Sequence, residues 1–244
     1  ESLAALQSLS ASDIQLVRQV LATITGGQEL DLRRFAGASG QNVVALQTDA
    51  DLDDYTYRVA GCVGEFWTRM CRAHLFPQAK LDDAQLLADG VWFGKGLQLV
   101  NILRDLPADL RQGRCYLPAE RLAGIGLLPA DLLQPANEPK LRPLYHEYLD
   151  RALAYLAAGW AYTNVLPRGQ VRVRLACAWP ILIGVKTLER LRNANPLNAA
   201  PRVKVSRKEV RQILLRSLWL YLRRAAWAAQ FPSGKAVASG RDLP

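Results

Sequence analysis

The sequence predicts a single all-α domain built from antiparallel helices. Apolar residues recur at helical spacing through most of the 244 residues, and the alternating pattern of an exposed strand is hard to find. Half of the residues are apolar, which is enough for one large core. No internal repeat or domain-scale linker divides the chain. We therefore expect one helical domain over residues 1–231 and a disordered tail over residues 232–244.

Each predicted helix is bounded by a capping residue, a glycine or a proline. Ser12 or Asp13 can cap the first helix, and the glycines at 37 and 40 follow its end. Pro107 lies inside the third helix, and we expect a kink or an end there, because proline removes one backbone hydrogen bond and clashes with the carbonyl four residues earlier. The predicted helices cover residues 13–35, 51–75, 81–111, 141–165, 171–192 and 205–229.

The charge and cysteine content narrow the functional classes only in part. The net charge of +9 suits nucleic acid, a membrane surface or an anionic substrate. Four irregularly spaced cysteines and two histidines give no zinc motif, and sparse cysteine fits a reducing cytoplasm. No apolar run reaches 18 residues, so no spanning helix is predicted. The chain opens without a signal-peptide pattern. It also opens without Met, which suggests a fragment or a processed product.

A polar stripe on the predicted helix 81–111 is the main chemical signal. Gln98, Asn101, Asp105 and Asp109 follow one another at three- and four-residue steps and therefore share one face. Two carboxylates about 6 Å apart along the axis can share Mg²⁺, which prefers a few carboxylates together with phosphate oxygens. Guanidinium groups could bind the remaining phosphate charge, and the candidates are Arg104, Arg111 and Arg114. An ordinary surface helix with Arg/Asp pairs remains the alternative on spacing alone.

The run LDDYTYRVAGCVGEFWTRM, residues 52–70, is the second informative segment. Tyr55, Val59 and Val63 share one helical face, and the glycines at 61 and 64 leave room beside it. Glycine in a helix costs stability, so these positions indicate close approach of another helix or of a long ligand. The aromatic and methionine residues from 66 to 70 are predicted to belong to the core.

Two of these runs resemble the squalene/phytoene synthase family: YTYRVAGCVGEFW (55–67) and GLQLVNILRDLPADLRQGRCYLP (96–118). The segment NPLNAAPRVKVSRKEV (195–210) is similar to the closing segment of bacterial squalene synthases. The resemblance covers roughly residues 14–213. It implies an isoprenoid-synthase-type antiparallel bundle around a deep apolar cavity. It also implies that two farnesyl diphosphates join head to head, through presqualene diphosphate, to give squalene, with Mg²⁺ and with NADPH as hydride donor. Phytoene, dehydrosqualene and presqualene diphosphate synthases are the alternatives within the family.

The resemblance also implies roles for individual residues. Asp105 and Asp109 match the second aspartate-rich motif, which binds Mg²⁺ together with Asn101, and Tyr55 matches a tyrosine at the reacting centre that stabilises a cation or removes a proton. Lys204 and Arg207 resemble the cofactor-side flap of squalene synthases. The residues that match substrate-binding or cavity-wall positions are Gln98, Asn101, Arg104, Arg114, Tyr116, Val59, Val63, Gly64, Gln28 and Asp31.

One part of the family pattern has no match. The family carries a first aspartate-rich motif before the position of Ile14, and the aspartates at 49, 51, 53 and 54 do not correspond to it. We expect an N-terminally truncated copy with little turnover as it stands, and full activity in a version restored at its N-terminus. A non-catalytic family member that acts as a binding or assembly protein is the alternative from a different class.

The basic residues between 202 and 224 raise a third possibility, a helical nucleic-acid binder. They alternate with leucine and tryptophan, for example Trp219, Leu222 and Trp227, which suits a core helix or a membrane interface better. We therefore expect an isoprenyl diphosphate as partner and no nucleic acid. The expected location is the cytoplasm, with peripheral contact to the inner face of the membrane.

Overall fold

The computed structural model describes residues 8–200 and 202–232, and their architecture is helical, which confirms the predicted all-α class. The predicted tail lies almost entirely outside the described residues. A π-helical turn joins α2 to α3, and two 3₁₀ turns, Pro129–Leu133 and Pro135–Asn137, precede α6. The elements are α1 (Ala11–Arg34), β1 (Val44–Ala45), α2 (Asp49–Thr56), the π turn (Tyr57–Gly61), α3 (Cys62–His74), α4 (Asp83–Arg111), β2 (Arg114–Cys115), α5 (Ala119–Ala123), α6 (Glu138–Val165), α7 (Val171–Asn193), α8 (Arg207–Leu220) and α9 (Arg224–Ala228).

Helix α4 is the central element of the bundle. The Asp82 carboxylate caps its first turn by accepting a hydrogen bond from the Gln85 amide, and Gly113 follows its end with a φ of 79°. Its middle is buried on most sides, including Leu99, Val100 and Leu103, and it packs against α3, α6 and α7. A buried 29-residue helix is rigid, so it holds the polar stripe in fixed register.

Pro107 lies inside α4 and does not end it. The helix continues to Arg111. Proline at this position leaves the carbonyl of Leu103, four residues earlier, without its helical donor. The buried hydroxyl of Tyr145 on α6 donates to that carbonyl at 3.0 Å. A side chain from the neighbouring helix thus replaces the missing backbone hydrogen bond, and the helix persists.

Residues 51–75 were predicted as one helix, and the structure interrupts it with a π turn. The capping box of Thr48 and Asp51 begins α2 at Asp49, and the turn over Tyr57–Gly61 separates α2 from α3. A π turn inserts one extra residue and rotates the helix face that follows it. The rotation places the small residues of α3 against α4, where Gly64 and Gly90 make close backbone contact.

A pair of two-residue parallel strands was not predicted. Val44 pairs with Arg114, and Ala45 pairs with Cys115. Strands this short carry no periodic signal, so sequence patterns do not reveal them. The pairing holds in place the segment just beyond the end of α4, which carries Arg114 and Tyr116.

The predicted last helix, residues 205–229, is broken in two. Helix α8 ends at Leu220, and α9 begins at Arg224. The break lets Trp227 turn back into the core, where its indole stacks on Trp160 at 5.5 Å and donates to the Asn164 side chain at 2.8 Å. Burial of this aromatic side chain outweighs the cost of ending the helix early.

Asp49 joins three parts of the bundle, and its removal should destabilise the fold. The Asp49 carboxylate accepts hydrogen bonds from Arg121 (3.0 Å), Tyr148 (2.9 Å) and Arg151 (2.8 Å). We expect Asp49→Asn to lower the free energy of unfolding by about 2 kcal/mol, because hydrogen bonds to a charged group are the stronger ones. Glu189→Gln, which removes an exposed pair with Lys186, should change it little. Urea unfolding of both variants measures the difference.

The same carboxylate should give the fold a pH dependence. Burial opposes ionisation of Asp49, but the hydrogen bonds from Arg151, Tyr148 and Arg121 outweigh it and hold its pKa below the ordinary value of 3.8. A lowered pKa adds stability above pH 3.8 that is lost as the pH falls through the folded-state pKa. In Asp49→Asn this part of the acid sensitivity should be missing, which unfolding curves at several acidic pH values would reveal.

Candidate functional site

The carboxyl-terminal part of α4 carries two acidic side chains in different environments. Asp105 is held by two guanidinium groups: Arg104 donates to it at 2.6 and 3.0 Å, and Arg202 donates from its Nε at 3.0 Å. Burial disfavours its charge, but the hydrogen bonds from Arg104 and Arg202 hold the pKa of Asp105 below its usual range. Asp105 is therefore ionised and already faces positive charge.

Asp109 lies one turn further along α4 and has no such partner. Its carboxylate makes no hydrogen bond or ion pair among the described residues. Burial and the charge of Asp105 raise the pKa of Asp109 to about 6, although Arg114 and Arg202 oppose the shift. A half-buried carboxylate beside another carboxylate has excess negative potential, which a bound cation would relieve.

A third carboxylate approaches from α1. Asp31 pairs with Arg114 at 3.3 Å through one oxygen, and its other oxygen, Oδ1, is buried without a hydrogen-bond partner. Burial raises the pKa of Asp31 in spite of the Arg114 charge. The strand pair fixes Arg114, so α1 and the end of α4 face each other across this ion pair. The site thus combines two neighbouring carboxylates of α4, Asp105 and Asp109, with one from a distant part of the sequence, Asp31.

Aromatic rings lie next to these charges. The Tyr55 and Tyr116 rings are 4.6 Å apart, and the Phe35 ring meets Tyr116 edge-on at 5.1 Å. Burial and the neighbouring Tyr116 raise the pKa of Tyr55, while a hydrogen bond with Gln98 opposes the rise. Tyr55 is therefore a neutral phenol near pH 7. A neutral phenol beside a second ring offers π-electron density and a hydroxyl dipole to a cation, and it is a poor base.

An apolar cleft of about 350 Å³ runs between α3, α4 and α7. Trp67, expected in the core, is 40% exposed and lines this cleft instead. Helix α4 carries both the cleft and the acidic end. Leu97 lines the cleft, and the next residue, Gln98, belongs to the polar stripe. Its lining consists of Val59, Ala60, Val63, Gly64, Trp67, Gly90, Phe93, Gly94, Leu97, Tyr162, Ala176 and Cys177.

Most of the predicted site residues lie either at the acidic and aromatic end of α4 or in the apolar cleft. Three predicted residues lie outside both. Gln28 is exposed on α1, although Asp31 on the next turn belongs to the acidic site. Lys204 and Arg207 are exposed in the segment before and at the start of α8. The residues at the acidic and aromatic end are Tyr55, Gln98, Asn101, Arg104, Asp105, Asp109, Asp31, Arg114 and Tyr116, and those in the cleft are Val59, Val63 and Gly64.

Sequence reasoning missed Arg202. It contacts Asp105 across 97 positions of sequence, together with Arg104. The basic segment 202–208 indicated this region, but the family resemblance pointed to Lys204 and Arg207 within it and not to Arg202. Among the described residues of that segment, Arg202 is the one that reaches a carboxylate of α4, because it follows the loop that folds back over Pro107 and Ala108.

These donors suit Mg²⁺ in chemical type. Among the described residues no group of three or more His, Cys, Asp and Glu side chains converges into an all-protein metal cage. Mg²⁺ does not need one, because it is commonly bound by one or two carboxylates, waters and substrate phosphate oxygens. The unpartnered Asp109 carboxylate and the orphaned Asp31 Oδ1 are the observations that support the fit.

Comparison with known proteins decides the family. The sequence profile described as squalene/phytoene synthase matches residues 1–209. The chain belongs to the squalene/phytoene synthase family. The family resemblance predicted from the acidic stripe, the GRCYLP segment and the VAGCVGE helix is therefore confirmed. The fold is the isoprenoid-synthase-type bundle that this resemblance implied.

Curated relatives resemble part of this chain. A 15-cis-phytoene synthase from Synechocystis sp. is 36% identical over 151 residues, which is 59% of this chain and 40% of that protein. A presqualene diphosphate synthase from Rhodopseudomonas palustris is 32% identical over 64% of this chain and 50% of that protein. A bifunctional lycopene cyclase/phytoene synthase from Gibberella fujikuroi is 35% identical over 66% of this chain and 28% of that protein. The matched part thus spans half or less of each relative.

Solved structures share the fold. A squalene synthase from Alicyclobacillus acidocaldarius superposes with a TM-score of 0.60 at 21% identity, covering 72% of this chain and 60% of that one. A dehydrosqualene synthase gives a TM-score of 0.62 at 23% identity, covering 84% and 65%. At this identity the likeness concerns the fold. Activity and substrate are argued from the site itself.

Proposed function

We propose that the protein is a prenyl transferase that joins two allylic diphosphates head to head. One observation carries the proposal: a cluster of carboxylates and guanidiniums lies at one end of α4, and an apolar cleft lies along the same helix. Gly90 and Asp105 are about 22 Å apart along the axis at 1.5 Å per residue. An isoprenyl diphosphate has this same division into a charged head and a long apolar chain.

Each part of the site has a task in this reaction. Arg114 and Arg202 can bind the diphosphate oxygens with their guanidinium groups as the substrate enters. Asp105, Asp109 and Asn101 would hold Mg²⁺, which when bound stabilises negative charge on the leaving diphosphate. Asp105 must then exchange guanidinium partners for metal. The arginines released from it would remain close to the phosphate charge.

The allylic cation left after ionisation needs protection from water. The Tyr55 and Tyr116 rings supply π-electron density beside the charged head, and the apolar cleft walls exclude water. The raised pKa of Tyr55 favours cation stabilisation over proton removal by this residue. Of the two roles that the sequence left open for Tyr55, the proposal therefore takes the first.

The proposed product is squalene, formed from two farnesyl diphosphates through presqualene diphosphate with a hydride from NADPH. Phytoene or dehydrosqualene is the alternative product, and both the phytoene synthase and the presqualene diphosphate synthase among the relatives fit this chemistry. The test is incubation of the protein with Mg²⁺ and either farnesyl or geranylgeranyl diphosphate, with and without NADPH, followed by analysis of the organic extract. A C30 hydrocarbon that requires NADPH supports squalene, and a C40 product supports phytoene.

A second candidate function is binding of a prenyl diphosphate without turnover. The observation that favours it is the occupation of Asp105 by two arginines in ion pairs. Calorimetry with a non-hydrolysable farnesyl thiodiphosphate separates the candidates. We expect binding that requires Mg²⁺ in either case. Binding without any hydrocarbon product, both from this chain and from a version restored at its N-terminus, would favour the second candidate. No Mg²⁺-dependent binding would contradict both.

A further inference from the structure

An exposed apolar ridge follows one side of α8. Leu215, Leu218, Trp219 and Leu222 succeed one another at helical spacing, and they are 67, 50, 66 and 83% exposed. Large apolar side chains that are exposed singly are normal, but a contiguous ridge marks an interaction surface. The opposite side of α8 packs toward α7, so the ridge faces away from the core.

The ridge continues onto one end of the bundle. The Arg168 side chain, in the turn between α6 and α7, donates to the carbonyl of Leu222 at 3.3 Å. The Gln170 side chain of the same turn donates to the carbonyl of Leu75 at 2.7 Å. These contacts bring further exposed apolar residues next to the ridge, namely Leu75, Val165 and Val171, which are 45, 51 and 39% exposed.

Positive charge surrounds this surface. Residues 207–232 contain six basic residues and one acidic residue, Glu209, which is engaged by Arg190 and by the Ser206 cap. The turn and first part of α7, residues 165–176, contain three arginines and no acidic residue. Among the described residues, the exposed cations here that form no ion pair are Arg168, Arg172, Arg207, Lys208, Arg211, Arg216, Arg223 and Arg224.

One of these cations shows how the surface is organised. The Arg223 guanidinium lies 4.2 Å from the centre of the Trp219 ring. An amphipathic ring at the level of lipid headgroups, with a guanidinium beside it, is the arrangement that suits an interfacial helix. Unpaired cations attract an anionic leaflet, and apolar side chains then enter the boundary between headgroups and acyl chains. The described helices include none long and apolar enough to cross a bilayer.

We propose that this surface, the α8 ridge together with the α6–α7 turn, docks the protein onto an anionic lipid bilayer. The apolar cleft and this surface share two helices. Ala176 of the cleft follows Val171 on α7, and Trp67 of the cleft lies on α3, whose end is followed directly by Leu75. Docking therefore brings the exposed side of the cleft, including Val63 and Trp67, close to the membrane surface. If the proposed function holds, an oily product can pass into the bilayer by a short route. The docking itself does not depend on that function.

Vesicle flotation tests the docking directly. The 244-residue chain should float with vesicles of phosphatidylcholine and phosphatidylglycerol at low salt, and less at high salt, because salt screens exposed charge. It should float poorly with phosphatidylcholine alone. Trp219 emission should shift to the blue on binding, and Trp219→Phe should bind but lose most of that shift.

Paired variants separate this surface from general stickiness. Trp219→Ser with Leu222→Ser, and separately Arg216→Glu with Arg223→Glu, should each weaken vesicle binding by about tenfold or more. The matched controls Leu32→Ser with Leu128→Ser, and Arg18→Glu with Lys140→Glu, change exposed residues elsewhere and should leave binding unchanged. All these side chains are exposed, so circular dichroism should show the parent helicity.

Two results would overturn the proposal. One is that the parent chain does not float with anionic vesicles at low salt. The other is that the ridge variants float as well as the parent does. A second copy of this chain is the alternative partner for the ridge. Sedimentation analysis of the parent chain tests for such a dimer. A dimer that dissociates in Trp219→Ser with Leu222→Ser, without any vesicle binding, would assign the ridge to self-association instead.

Discussion

Asp109→Asn should reduce Mg²⁺-dependent binding of farnesyl thiodiphosphate by about a hundredfold, because the loss of groups that merely support metal ligands already costs about 10- to 100-fold in metal affinity. The Asp109 carboxylate is half-buried, lacks a hydrogen-bond partner among the described residues and lies next to Asp105. An amide of the same shape keeps the packing and removes the charge. Calorimetry with and without Mg²⁺ measures the loss. Asp150→Asn, which breaks an exposed ion pair with Arg192, is the matched control.

Asp105→Asn should lose the Mg²⁺-dependent binding as well. The same variant tests the alternative interpretation of the stripe as an ordinary helix surface with Arg/Asp pairs. If Asp105 merely neutralises Arg104 and Arg202, its removal frees two guanidiniums. Diphosphate binding without metal should then rise while the effect of Mg²⁺ stays as in the parent. A rise of that kind, or unchanged Mg²⁺-dependent binding in Asp109→Asn, would contradict the metal assignment.

The acidic stripe could be predicted from sequence because it lies on one long helix. The relation between Gln98, Asn101, Asp105 and Asp109 is local, and helical spacing alone puts them on one face. Local periodicity does not show what faces the stripe from other elements, which is why the ion pair of Asp105 with Arg202 had no counterpart in the sequence pattern.

Tertiary contacts also decide where a helix continues and where it breaks. Pro107 was expected to kink or end α4, and the Tyr145 hydroxyl from α6 replaces the hydrogen bond that proline removes. The helix at 205–229 was expected to be continuous, and burial of Trp227 against Trp160 breaks it. In both places a tertiary contact outweighs the local preference of the backbone. Such contacts join residues far apart in the chain, and no window of neighbouring residues contains them.

The acidic run at the start of α2 shows the reverse case, in which charge has a structural use. Asp51 pairs with Arg34 at 2.8 Å, Asp53 with Lys95 at 2.6 Å, and Asp54 with Arg58 at 2.7 Å. Asp49 holds Arg121 and Arg151. Each carboxylate of this run therefore has a basic partner.

The helix crossing of α3 and α4 should tolerate no side chain at Gly64. A Cβ there would lie 1.9 Å from the carbonyl oxygen of Gly90 and 2.6 Å from its carbon. Both are backbone atoms of α4, so the clash is relieved only if the two helices move apart. Overpacking of this kind typically costs 1 to 3 kcal/mol and occasionally more, so we expect Gly64→Ala to lower the free energy of unfolding by about 3 kcal/mol.

Gly26→Ala on α1 is the matched control for that substitution. A Cβ at Gly26 would come no nearer than 3.9 Å to another group, the Arg58 guanidinium. Alanine in a helix is favoured over glycine, so this variant should be as stable as the parent or more stable by about 0.5 to 1 kcal/mol. Urea unfolding of the two variants compares the same chemical change at a closed and an open position. Equal stabilities would mean that α3 and α4 can separate at little cost. In that case Gly64 could not be what fixes the width of the cleft between the two helices, and the apolar walls beside it would adapt to ligands of different thickness.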